Sequence, residues 1–177
     1  HHGATDGGAA FSGDSDLWIA DFVWKWAPNG NPVQRNFVFS GEYFSREEDG
    51  SIAFMEGGLP ADLAYTGDQQ GFYLQGIYQF MPRWRVGLRY DWLDSNNAVT
   101  IVSIDPGLMP ADVLDDVGLT DGLDNPERWS LMADYTPSEF SRLRLQYNHD
   151  NSRVGPTDHQ VTLQYIMSLG AHGAHQF

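Results

Sequence analysis

Alternation of apolar and polar side chains with a period of two is the feature that most limits what this chain can fold into. Such a pattern is typical of a β-strand with one apolar face. It recurs seven times, over residues 16–26, 35–46, 70–81, 83–94, 127–136, 139–150 and 159–171. The clearest example places five apolar side chains at alternate positions: Trp84, Val86, Leu88, Tyr90 and Trp92. The sequence therefore predicts an all-β, antiparallel fold.

The length of these segments and their aromatic residues favour a membrane-spanning sheet. Each segment has ~10 residues, the length with which a tilted strand crosses a bilayer. Aromatic rings stand near the ends of the apolar faces, where amphipathic rings meet the lipid–water boundary. These residues are Trp24, Trp26, Phe37, Phe80, Trp84, Tyr90, Trp92, Trp129, Tyr135 and Tyr147. We expect an antiparallel transmembrane β-barrel in a bacterial outer membrane.

The connections between the predicted strands alternate in length. Short ones fall at 27–34, 81–82 and 136–138, long ones at 47–69 and 95–126, and a medium one at 151–158. Short periplasmic turns and long external loops are the outer-membrane pattern. This pattern predicts that the last strand runs from the outside to the periplasm. Counting back through seven antiparallel strands gives the first strand the same direction. Residues 1–15 are therefore expected to be the tail of an external loop. Residues 1–177 are accordingly one barrel domain or part of a larger barrel.

Two other folds remain open at this point. Residues 98–105 are strand-like and follow Asn96-Asn97, a good hairpin turn, so an eighth strand could close a small barrel. We expect instead that this stretch is a hairpin extension above the membrane. A soluble β-sandwich would also alternate, with its aromatic faces packed in a core.

Composition excludes several classes of function. The chain has 24 acidic and 10 basic residues, whereas a nucleic-acid partner needs a basic face. It has no cysteine, which removes disulfides and thiolate chemistry. No nucleophile elbow or glycine-rich phosphate loop is present, so we do not expect an enzyme.

Charged residues occupy the polar face of the predicted strands, which would line the lumen. Seven are basic and four acidic: Lys25, Arg83, Arg85, Arg89, Arg128, Arg142, Arg144, Asp21, Glu42, Asp91 and Asp134. A basic lumen lowers the barrier for anions. The same charges could instead pair across neighbouring strands and stiffen the wall, which is the interpretation we favour.

Candidate metal ligands lie in the predicted external segments. The acidic stretches 47–68 and 105–127 could bind Ca²⁺ through carboxylates, although no EF-hand spacing is present. His149 and His159 flank the last external connection, and His1 and His2 would lie on the same side, so a surface zinc site is conceivable. Solvated carboxylates and incidental histidines are the simpler explanations of the two features, and we favour them over metal sites. The repeated Pro-Ala-Asp at 60–62 and 110–112 predicts a short helical turn in each loop.

The last strand carries apolar residues at alternate positions and the chain ends on an aromatic, which is typical of the signal read by the barrel-assembly machinery. The residues concerned are Tyr165, Met167, Leu169 and Phe177. The stretch from Gln164 to Phe177 (QYIMSLGAHGAHQF) resembles the C-terminus of zinc-regulated, TonB-dependent-receptor-like outer-membrane proteins, and the rest is similar to porin-like barrels. The resemblance implies passage of a metal ion, a metal complex or another small solute.

Three functions follow as expectations. The first is an outer-membrane transport barrel, receptor-like or porin-like, in contact with outer-membrane lipid. The second is a structural barrel whose lumen is filled by a plug domain or a partner protein. The third is a secreted ligand-binding β-sandwich.

Overall fold

The chain folds into one antiparallel sheet in which every strand pairs with its neighbours in sequence. The computed structural model describes residues 2–6, 9–118, 125–152 and 156–168, of which residues 2–6 by backbone alone. The strands run in the order β1 to β8. Their bounds are β1 His2–Asp6, β2 Ala9–Trp26, β3 Asn36–Glu56, β4 Leu59–Met81, β5 Trp84–Ile104, β6 Glu127–Ser138, β7 Ser141–Asn151 and β8 Asp158–Met167.

The all-β, antiparallel prediction is confirmed, and each of the seven predicted strands is present. The sheet is not closed on itself in the described part of the chain, because β1 and β8 each pair with one neighbour. Two ends of the sheet are distinguished below. The proximal end carries the connections 27–35, 82–83 and 139–140, and the distal end carries the connections 57–58, 105–126 and 152–157.

The prediction of an external loop at 47–69 is wrong, because these residues form a long β-hairpin. β3 continues to Glu56 and β4 begins at Leu59, so that only Gly57 and Gly58 form the turn. Both glycines have positive φ, 58° and 85°, which a two-residue hairpin turn requires of its central residues. Pro60–Asp62 therefore lies in a strand and forms no helical turn.

The prediction of a loop at 95–126 is wrong for residues 95–104, which belong to β5, and for residues 110–117, which form a helix. Asn96 and Asn97 do not form a turn, because β5 continues through them to Ile104 and pairs with β4 throughout. The expected helical turn at Pro110 is confirmed as the start of α1, Pro110–Val117. Proline suits this first position because its missing N–H has no partner there, and Gly118 ends the helix in the left-handed conformation.

Residues 1–15 were also expected to be a loop, and their described part is not. His2–Asp6 forms β1, and residues 9–15 are the first half of β2, which pairs with β3 along its whole length. The signal was hidden because glycine, alanine and aspartate dominate this stretch. At the proximal end, the two-residue turns are Pro82-Arg83 and Glu139-Phe140, each one to three residues beyond the predicted place.

The register divides the sheet into two faces with different chemistry. The apolar face is illustrated by one row of directly paired residues that crosses seven strands: Phe22, Gly41, Leu74, Tyr90, Trp129, His149 and His159. The polar face is illustrated by the next row: Asp21, Glu42, Tyr73, Asp91, Arg128, Asp150 and Asp158. Period-two alternation in the sequence has therefore become a two-faced wall.

The buried core sits at the distal end, on the continuation of the polar face. Beyond the charged rows, this face turns apolar, and α1 packs against it through Val113, which has no exposed surface. The buried core residues are Ile52, Phe54, Ala61, Leu63, Tyr65 and Val113. The helix thus covers the polar side of the long β3–β4–β5 hairpins and leaves the apolar side uncovered.

Candidate functional site

The apolar face is exposed over most of its area. Trp18 is 77% exposed, Leu88 50%, Leu131 55% and Leu163 75%. Soluble monomers rarely expose a continuous apolar patch of more than a few hundred Å². A face that crosses seven strands with large exposed side chains therefore needs an apolar surrounding.

Aromatic rings border this apolar face at two levels, as the sequence predicted. At the proximal level, the rings of Trp84 and Tyr135 lie 4.6 Å apart between centroids. At the distal level, Tyr90 and Trp129 lie 4.4 Å apart. Trp84 begins β5 and Trp92 lies eight residues further along it, so that at ~3.3 Å per residue the band between the two rings is ~26 Å long along the strand.

The distal border of the apolar face is abruptly acidic. Asp16 pairs with Glu47, and Glu47 pairs with Asp68, so three carboxylates stand side by side in one row. Asp14 and Asp49 pair in the next row. Like charges directly opposite one another repel, which a strand pair tolerates where water solvates them. The apolar face therefore ends where a solvated zone begins.

The polar face holds two clusters of charged residues, and the Asp134 cluster is the first. Asp134 has no exposed surface and accepts hydrogen bonds from Arg144 Nε at 2.7 Å and Arg144 Nη2 at 3.0 Å. Arg85 Nη2 donates a third hydrogen bond at 3.1 Å. Arg142 Nη1 lies 3.9 Å from the same carboxylate. Three guanidinium groups thus surround one carboxylate near the proximal end.

The Asp91 cluster lies closer to the distal end and is balanced in charge. Arg89 donates two hydrogen bonds to Asp91 Oδ1, from Nε at 2.8 Å and from Nη2 at 2.6 Å. Arg128 lies 3.9 Å from Asp91 and 3.6 Å from Asp150. The guanidinium carbon of Arg89 also lies 3.9 Å from the ring centre of Tyr73, a cation–π contact.

The predicted lumen residues are only partly brought together. Arg85, Arg89, Arg128, Arg142, Arg144, Asp91 and Asp134 form the two clusters. Lys25, Asp21 and Glu42 lie on the same face but join neither cluster by a salt bridge. Arg83 was wrongly placed in a strand. It occupies the Pro82-Arg83 turn with a φ of 72°, so it stands at the proximal rim.

A polar network between the acidic border and the distal core was missed by the sequence analysis. Tyr65 donates a hydrogen bond to Glu48 at 3.3 Å, and Gln69 donates one to Asn97 at 2.9 Å. Burial, reinforced by the negative charge of Glu48, raises the pKa of the Tyr65 hydroxyl above its usual 10.0. The register of three strands joins these residues, and no local sequence motif marks them.

His149 and His159 come together, as expected for antiparallel neighbours. They pair directly between β7 and β8, and their ring centroids are 5.0 Å apart. The hydroxyl of Tyr147 is hydrogen-bonded to His159 Nδ1 at 2.7 Å. Within the described ranges, no group of three or more His, Asp and Glu side chains is arranged to hold a metal ion. His1 and the side chain of His2 lie outside the described residues, and the zinc and Ca²⁺ sites stay predictions.

Two residues of the predicted assembly signal lie on the apolar side of β8. Tyr165 is 60% exposed and Met167 54% exposed. Leu169 and Phe177 lie outside the described residues. No helix in the described ranges has the length and apolar character to cross a membrane.

Comparison with known proteins finds similarity to a longer bacterial protein. Over 175 residues, the chain is 27% identical to an uncharacterized protein of Aquifex aeolicus (strain VF5). The match covers 95% of this chain and 32% of that protein, so the chain spans about a third of its relative's length. No family model matches the chain, and no solved structure matches it.

Proposed function

We propose that this chain forms part of the wall of an outer-membrane β-barrel that passes a small polar solute, in a receptor-like or porin-like protein. One observation carries the proposal. The same strands present an exposed apolar band, bordered by aromatic rings and carboxylates, on one face and arginine–aspartate clusters on the other. A transmembrane barrel needs an apolar outside and a polar inside in this arrangement.

The dimensions of the apolar face support contact with lipid. A strand tilted by ~40° over a band of ~26 Å covers ~20 Å along the membrane normal, near the ~25 Å of outer-membrane barrels. The packed core of the described chain lies at the distal end, beyond the acidic border. A sandwich would bury the aromatic rings instead, and in this sheet their side stays uncovered.

The polar face supports a water-filled interior. The side chains of Arg85, Arg89 and Arg128 are 32%, 36% and 46% exposed. Burying unpaired charges in a dry core would cost several kcal/mol per ion. Cross-strand ion pairs with one side open to solvent instead suit the wall of an aqueous channel.

Closure of such a barrel calls for strands beyond those described. Among the described residues, β8 pairs with β7 alone and β1 pairs with β2 alone, so both edges offer backbone hydrogen-bonding groups to a further strand. We propose that further strands of a longer polypeptide pair with these two edges. The relative's greater length is compatible with this arrangement.

A barrel that encloses a plug domain or a partner protein is the second candidate, and one observation favours it. Leu17, Ile19 and Val23 lie on the polar face of β2, and they are 56%, 60% and 60% exposed. Apolar side chains in a water-filled lumen are costly, whereas a protein segment inside the barrel would cover them. Solute flux in the presence and absence of that segment separates the two candidates.

The proposal is tested with the full-length protein that contains this chain. Expressed in a Gram-negative host, the protein is expected in the outer-membrane fraction and to require detergent for extraction. Reconstituted into liposomes, it is expected to accelerate entry of small polar solutes relative to protein-free liposomes. Recovery in the soluble fraction without detergent would overturn the membrane proposal. Membrane insertion without flux would favour the barrel that encloses a partner.

A further inference from the structure

The Asp134 cluster carries more positive charge than its neighbour. Three guanidinium groups, of Arg85, Arg142 and Arg144, face one carboxylate, whereas Arg89 and Arg128 face two carboxylates in the Asp91 cluster. We propose that Arg85 and Arg142, which stand with Arg144 around Asp134, form a binding site for a phosphate-type oxyanion at the proximal end of the polar face. Its assignment as a solute site rests on the proposed function, whereas the binding itself does not.

Most hydrogen-bond donors of this cluster remain available. Each guanidinium has five N–H donors, and Asp134 accepts two bonds from Arg144 and one from Arg85. Arg142 approaches the carboxylate only to 3.9 Å, beyond hydrogen-bond length. Its Nε is enclosed and has no hydrogen-bond partner among the described residues. Arg142 therefore contacts Asp134 at ion-pair distance and donates no hydrogen bond to it.

The surroundings leave room for a ligand and do not cancel the charge. A cleft of about 230 Å³ opens beside the cluster, lined among others by Arg85, Arg142, Glu139, Thr136 and Ser141. Arg83 lines the adjoining cleft at the same rim. Four arginines against Asp134 and Glu139 leave an excess of two positive charges. The hydroxyl of Thr136 offers a further hydrogen-bond donor, whereas the hydroxyl of Ser141 is hydrogen-bonded to Ser138 at 2.8 Å.

The chemistry of the cluster favours oxyanions such as phosphate over cations and halides. Guanidinium groups match the spacing of two oxygens on one phosphorus and bind them bidentately. A phosphate group carries about −1.5 to −2 charges near neutral pH, which matches the excess on the cluster. Cations are repelled, and a halide has no pair of oxygens for the guanidinium fork. Inorganic phosphate and small phosphorylated solutes are therefore the expected class.

The test measures binding of inorganic phosphate to the purified full-length protein in detergent, by equilibrium titration at constant chloride. Arg142→Gln is expected to weaken binding by about tenfold or more, because it removes a charge-assisted donor. Arg128→Gln is the matched control, as it removes an arginine from the same face outside the cluster, and its affinity is expected to stay near wild type. Arg142 makes no hydrogen bond to Asp134, so the variant should keep the wild-type circular dichroism. Arg142→Lys is expected to restore part of the affinity.

Two results would overturn the inference. One is the absence of saturable phosphate binding to the wild-type protein. The other is an equal loss of affinity in Arg142→Gln and Arg128→Gln, which would show attraction by overall charge. Conductance of the same protein in planar bilayers is measured in parallel. Conduction without phosphate binding would contradict the phosphate site and support the transport proposal. Phosphate binding without conduction would support the site and contradict the transport proposal.

Discussion

Arg144 and Asp134 are directly paired residues of neighbouring strands, and two hydrogen bonds of 2.7 and 3.0 Å join their side chains. Arg85 reaches the same carboxylate from the strand on the other side. One buried aspartate thus ties three strands together on the face that would line the interior. Removal of this aspartate or of its partners should therefore lower the free energy of unfolding.

Arg144→Gln is expected to lower the free energy of unfolding by about 2 kcal/mol. Breaking a fully buried ion pair costs about 3–5 kcal/mol, and the cost is smaller here because the arginine is partly exposed to solvent. Urea unfolding of the protein in detergent or lipid vesicles measures the effect. Arg128→Gln, whose contacts of 3.6 and 3.9 Å are longer, should cost less. Equal costs for the two variants would argue against a structural role of the Asp134 pairing.

Leu131→Arg distinguishes lipid from water on the apolar face. Leu131 is 55% exposed, and its neighbour Ser130 lies on the polar face. In lipid vesicles, Leu131→Arg should cost about 2–4 kcal/mol near the bilayer centre, whereas Ser130→Arg should be tolerated. The measurement is the folding equilibrium of both variants in vesicles. Similar, small effects of the two substitutions would show that no lipid covers Leu131.

Val113→Ala should loosen α1 from the sheet. Val113 has no exposed surface and packs into the distal core, so the lost contacts and the cavity should cost about 2 kcal/mol. Hydrogen exchange of residues 110–117 is expected to speed up. Met109→Ala is the control, because Met109 is 65% exposed just before the helix. Unchanged exchange in Val113→Ala would mean that the helix does not depend on this contact.

The distal core is expected to weaken at high pH. The pKa of Tyr65 is raised in the fold above the 10.0 of a free tyrosine, chiefly by burial. A raised pKa means that the neutral hydroxyl is favoured in the folded state. The resulting stability is fully present below pH 10.0 and is lost as pH rises through the higher folded pKa.

Tyr65→Phe provides the comparison for this pH dependence, since it removes the titrating group and keeps the ring. Proteolysis rates of the 47–69 hairpin, measured across alkaline pH, should rise in the wild type and stay flatter in the variant. A wild-type profile as flat as that of Tyr65→Phe would show that ionisation of this hydroxyl does not destabilise the fold.

The positions of the strands were predictable, but their lengths were not. Strands with an apolar face reveal themselves by alternation, as in β5 from Trp84 to Trp92. Glu47, Glu48 and Asp49 are consecutive carboxylates, so no alternation marks the outer half of β3. Pairing with β4 and the turn at Gly57 and Gly58 extends the strand there. Backbone pairing between segments distant in sequence sets the length of such a strand, and no local sequence pattern indicates that pairing.

The same limit applies to the charged clusters. The parity of Asp134, Arg85 and Arg144 in their strands predicted a shared face, which the register confirms. Which charges meet depends on the alignment of neighbouring strands to a single residue, and a one-residue slip would exchange the faces. The packing of α1 on the polar side was hidden for a similar reason. Val113 stands in a short helix with three aspartates, and its buried partners lie 48 to 61 residues earlier.

Cysteine scanning of β6 tests the central claim, that one face of the sheet meets lipid and the other meets water. These 177 residues contain no cysteine, so single cysteines at positions 129 to 133 report without background once any cysteine elsewhere in the full-length protein is replaced by serine. Spin labels on the full-length protein in lipid vesicles are read by collision with oxygen, which prefers lipid, and with a water-soluble nickel complex. We expect oxygen to dominate at Trp129, Leu131 and Ala133, and nickel at Ser130 and Met132. Equal access of the nickel complex to both sets of positions would contradict the account.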